Sequence, residues 1–87
     1  MSFKHGVVSF MKSNLITWRT ELNEEGDILI IVKDDRPLSY YYESLQTMVW
    51  LILGEIPHKA ERVRMILTNE SRSNAYYYTF DPEKKPG

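Results

Sequence analysis

The chain has 87 residues, of which 43 % are hydrophobic and 13 % aromatic; 11 Lys and Arg against 12 Asp and Glu leave a net charge of −1, and there is no cysteine. This length supports a single core, and the apolar content is too high for a disordered chain. Without Cys, disulfides and thiolate metal sites are excluded, and near-neutrality argues against a strong, non-specific polyanion binder. The longest apolar run, residues 48–53, is far shorter than the roughly 20 residues that span a bilayer. No signal-peptide pattern opens the chain, so a cytoplasmic protein without membrane contact is the expectation.

Charge is unevenly placed. Residues 1–57 hold 5 basic and 8 acidic side chains, whereas residues 58–87 hold 6 and 4, so the C-terminal third is mildly basic. All six tyrosines fall in two triplets, Tyr40-Tyr41-Tyr42 and Tyr76-Tyr77-Tyr78. Such rings bury large areas and tolerate a wet hydroxyl, which suits a core edge or a contact surface.

Along the chain, the first thirteen residues fit two readings. Residues 3–10 suit an edge strand and residues 7–12 the start of a short helix, while Gly6 weakens both. Residues 14–22 alternate, with Ile16, Trp18 and Leu22 on one parity and Thr17, Arg19 and Glu21 on the other. Asn23-Glu24-Glu25-Gly26 reads as a turn whose glycine supplies a positive φ. Residues 27–33 contain Ile28-Leu29-Ile30-Ile31-Val32, apolar on both parities and so a central strand.

Asp34-Asp35-Arg36-Pro37 opens a helix, with proline suited to its first position and carboxylates to the positive end of its dipole. Leu38, Tyr41, Tyr42, Leu45, Met48, Val49, Ile52 and Leu53 form its apolar stripe, and Gly54 and Pro57 end it after about four turns. Glu43, Gln46, Thr47 and Trp50 share the opposite side, which leaves a tryptophan among polar neighbours. Two further strands, residues 62–68 and 75–80, flank a polar loop. We therefore expect an α+β domain over residues 1–80. It comprises a four- or five-stranded, mostly antiparallel sheet in ββαββ order with one amphipathic helix on one face, followed by a flexible tail at residues 81–87.

No reaction is written in these residues. His5 and His58 have no metal-ligand spacing, and Asp34-Asp35 before a helix is more often a cap and dipole partner than a Mg²⁺ site. No glycine-rich phosphate loop or nucleophile, base and acid constellation occurs. The expectation is a protein that is not an enzyme and uses no cofactor or metal.

What remains is a surface. One helix covers one side of a sheet, which leaves Leu15, Thr17, Arg19, Glu21, Leu29, Ile31, Lys33, Arg62, Arg64, Ile66, Tyr77 and Thr79 facing away from it. Three arrangements compete for that face. The N-terminal segment folds over it, or another protein chain docks on it, or a single-stranded nucleic acid stacks on its aromatic and basic side chains. Our expectation is a small protein-binding or regulatory module, an inhibitor of a larger partner being one form of it, that also self-associates as a homodimer. Its binding residues are Trp50, Tyr77, Arg19, Lys33, Arg62 and Arg64, and nucleic-acid binding is the alternative.

Overall fold

The computed structural model describes residues 3–14, 17–55 and 61–81. Leu15, Ile16, His58 and the tail beyond Asp81 therefore lie outside the described residues. The elements run α1 (Phe3–Asn14), β1 (Arg19–Leu22), β2 (Ile28–Val32), α2 (Leu38–Glu55), β3 (Val63–Asn69) and β4 (Ala75–Phe80). They form an α+β fold with one four-stranded sheet in the order β1-β2-β3-β4.

The N-terminal ambiguity resolves as a helix. Phe3, Val7 and Met11 recur at a four-residue spacing and are all buried, with Val8 beside them, so the i, i+4 repeat of α1 makes one apolar stripe. A strand over the same residues would have sent Phe3 and Val8 to opposite faces. Gly6 is tolerated inside this helix at a cost of about 1 kcal/mol relative to alanine.

The β1–β2 turn forms as its residues predict. Gly26 takes φ of 81°, and the Asn23 side-chain oxygen accepts from the backbone N–H groups of Glu25 (3.0 Å) and Asp27 (2.8 Å). β1 and β2 pair antiparallel, with Arg19 opposite Ile31 and Leu22 opposite Ile28. β3 and β4 also pair antiparallel, with Val63 opposite Phe80 and Thr68 opposite Ala75.

The centre of the sheet differs from the expectation. β2 and β3 pair parallel, Ile28 with Met65 through Val32 with Asn69, so the sheet is mixed rather than mostly antiparallel. The reason is length. The 18 residues of α2 rise about 27 Å, enough to run back along a whole strand, so the chain re-enters β3 from the end at which β2 began. A parallel neighbour requires such a crossover, whereas a two-residue hairpin suffices for an antiparallel one.

Both helices lie on the same side. Phe3, Val7, Val8 and Met11 of α1 and Leu38, Leu45 and Val49 of α2 form one buried cluster with Ile28, Ile30, Val32, Val63, Met65, Leu67 and Phe80. The expected single helix is thus two, and the molecule has two layers, helices over sheet. One flaw sits in this layer: Thr20 is buried and its hydroxyl finds no hydrogen-bond partner among the described residues.

The two loops at the far end of the parallel strands are tied together. Asp34 accepts hydrogen bonds from the Ser71 backbone N–H (3.0 Å) and hydroxyl (2.8 Å). Glu70 N–H also donates to the Val32 carbonyl at 3.0 Å.

Candidate protein-interaction face

The side of the sheet opposite the helices is built by strand alternation alone. Odd-numbered residues of β1 and β2 and even-numbered residues of β3 point to it, and the register lines them into rows. The central row runs Glu21, Leu29, Ile66, Tyr77 across all four strands. The next row toward the β2 C-terminus runs Arg19, Ile31, Thr68, Ala75. On the other side of the central row Arg64 faces Thr79, and Asp27 lies one residue before β2 beside Arg64.

No described element covers this face, because α1 joins α2 on the other side. Of the three competing arrangements, closure by the N-terminal segment is therefore corrected. Tyr77 is 62 % exposed, and Leu29 and Ile66 are half-buried. Ile31 and its row neighbour Thr68 are only 5 % exposed. Thr17 and Lys33 are exposed beside Arg19 and Ile31 around a shallow cleft of about 200 Å³ that Val32 and Glu70 also line. A second cleft of about 140 Å³ lies between Thr17, Trp18, Lys33, Asp35 and Tyr41. Both are smaller than the roughly 300 to 1,000 Å³ that encloses a small-molecule ligand.

Electrostatics separate this face from a basic one. Arg64 donates to Asp27 through Nε (3.0 Å) and Nη2 (2.5 Å), with Nη2 also 3.4 Å from Glu25. The Asp27 carboxylate at this distance raises the pKa of Arg64 above its ordinary value. Arg19 lies 3.9 Å from Glu21, and Arg62 lies 3.5 Å from Asp81. Three of the four basic side chains expected to make the face positive thus stand beside carboxylates. Sequence reasoning counted Glu21 alone; Asp27, Glu25 and Asp81 enter only through the β2–β3 register and the strand ends.

Tyr77, Arg19 and Arg64 share the face but stand in three different rows of it, and Lys33 and Arg62 sit at its rim. Trp50 does not join them. It lies on the helix side, half-buried, with its ring edge-on to Phe80 at 4.9 Å. The indole is long enough to reach around the flank of α2 from beside the buried Val49, so the helical projection misplaced it among Glu43, Gln46 and Thr47. Phe80 also receives the Phe3 ring at 5.9 Å.

The tyrosine triplets divide their work. Tyr76 and Tyr78 pack against the core from the edge strand, under the ring of Tyr42 at 5.1 and 6.3 Å. The Tyr42 hydroxyl donates to the Tyr77 carbonyl at 3.1 Å, which places a side chain over the outer edge of β4. At the start of α2, Tyr41 stands edge-on to both Trp18 (5.6 Å) and Tyr40 (5.4 Å), and Arg36 lies 4.8 Å above the Tyr40 ring.

Fold and surface together define a two-layer α+β domain with one charge-balanced sheet face that no described element covers. Compared with protein-family models, curated proteins and solved structures, the chain matches none of them. Among the described residues, no helix is long and apolar enough to cross a membrane.

Proposed function

We propose that the protein is a small, non-catalytic binding or regulatory module of the cytoplasm that docks a protein surface on its uncovered sheet face, inhibition of that partner being one consequence. The observation that carries this is the Glu21, Leu29, Ile66, Tyr77 row, an apolar centre between a half-buried carboxylate and an exposed phenol that no described element covers. Protein interfaces have such an anatomy, with apolar and aromatic residues central and charge at the rim. Nucleic-acid binding receives less support, because a backbone-tracking groove needs cations free to neutralise phosphates, and Arg19, Arg62 and Arg64 each stand beside a carboxylate.

The test compares the parent with Ile66→Glu, whose exposed-side position leaves the core untouched. Both are immobilised and exposed to lysate of the source cell with and without nuclease treatment, and each retained protein is purified and rebound directly. A partner held by the parent and lost by Ile66→Glu, with an unchanged unfolding midpoint, is the expected result. Equal retention by both, or retention that disappears with nuclease, contradicts the reading.

A further inference from the structure

We infer that the occupant of the uncovered face is a second copy of this chain, related by a two-fold axis that lies between β2 and β3 and runs along the strands. This rests on the docking role proposed above and names its partner. The argument is the charge pattern of the face. A two-fold axis in the plane of two facing sheets, parallel to the strands, lays β1 of one copy over β4 of the other and β2 over β3.

The rows then complement one another. Leu29 meets the partner's Ile66 at the centre, and Glu21 meets the partner's Tyr77, a carboxylate over a phenol that can donate to it. Asp27 meets the partner's Arg64, and because each Arg64 already holds its own Asp27 and stands 3.4 Å from its own Glu25, carboxylates and guanidinium groups interleave across the interface. Arg19 falls over the partner's small Ala75, which leaves room for its side chain. An axis turned to run across the strands instead sets each residue of the row it follows against its own copy, Glu21 on Glu21 along the central row or Arg64 on Arg64 along the row beside it, and like charges facing one another disfavour either pairing.

The competing self-association, edge to edge through β4, meets the Tyr42 hydroxyl on the Tyr77 carbonyl. A covered edge of this kind opposes strand addition. Four strands about 4.8 Å apart make a face about 19 Å across, which puts the interface at the small end of specific contacts. Association is therefore sought at about tens of micromolar, where weak homodimers form and dissociate.

Two measurements test this on the full chain. Sedimentation velocity across that range follows the parent, Arg64→Glu, Asp27→Arg and an equimolar mixture of the two variants. Each variant alone places like charges across the interface and weakens association about tenfold or more; the mixture pairs opposite charges again and recovers the parent's behaviour. Because both substitutions also disturb the Arg64–Asp27 pair within each chain, a second arm uses Glu21→Cys and Tyr77→Cys, the only thiols present, with a short bis-maleimide. These positions lie about 14 Å apart within one sheet, so mixed chains cross-link and each variant alone does not. Cross-linking of Glu21→Cys to itself, no recovery in the charge-swapped mixture, or a parent that stays monomeric overturns the inference. If the parent is monomeric while Ile66→Glu still abolishes capture of another protein, the docking role stands and the second copy is wrong; loss of both removes the docking role as well.

Discussion

Asp35 accepts a hydrogen bond from the Tyr41 hydroxyl, and that contact lowers the carboxyl pKa below its ordinary value while raising that of the phenol. The sign of the effect follows from linkage. A depressed carboxylate contributes stability that is present above its unfolded pKa and lost as pH falls through the folded one; the raised Tyr41 contributes stability below the ordinary phenol pKa that is lost as pH rises through its folded value. Tyr41→Phe should return Asp35 to the ordinary carboxylate range in an NMR titration, and an unmoved Asp35 would mean that the bond is not formed in solution. The sequence shows that Asp34 and Asp35 precede a helix, but not what they bind. Asp34 takes Ser71, 37 residues away, and only the parallel placement of β2 and β3 brings the two loops together.

At the scale of the elements, local pattern carried most of the information. The turn at Asn23 to Gly26, the stripe of α2 and the bounds of β4 were legible because each depends on neighbouring residues. Strand direction was not, since it depends on how far α2 travels rather than on any residue in β2 or β3. The side taken by α1 was equally hidden, because a stripe such as Phe3, Val7, Met11 states that a face is buried and not against what. Trp50 shows the limit of a helical projection, which locates Cα directions and ignores the reach of a large ring. Its contact with Phe80 now sets its role: Trp50→Ala should lower the free energy of unfolding by about 1 to 3 kcal/mol in denaturant titration and leave association unchanged. A variant with parental stability but lost association would restore Trp50 to the interface.

For the whole molecule, the two sides of the sheet have different fates because the number of helices does not match the number of faces. Two helices crowd one side and enclose Ile28, Ile30, Leu45, Met65 and Leu67, all at 0 or 1 % exposure, while the other side keeps its apolar centre open. The parity of the strands already assigned Arg19, Arg64, Ile66 and Tyr77 to that open side. Its charge balance was not legible, because Asp27 and Glu25 reach Arg64 across a strand pair that the sequence leaves unspecified. Elsewhere on the helix side, Tyr40 and Leu51 are also exposed, but single apolar residues on a surface are ordinary.

The uncovered sheet face is the central claim, and a concentration series of amide correlation spectra reads it residue by residue. Between about one and several hundred micromolar, the range in which a small interface forms and dissociates, the account predicts shifts at Glu21, Leu29, Arg64, Ile66 and Tyr77, with the Trp50 indole and the Leu51 amide unmoved. Shifts concentrated on Tyr40, Trp50 and Leu51, with the sheet face silent, would contradict it.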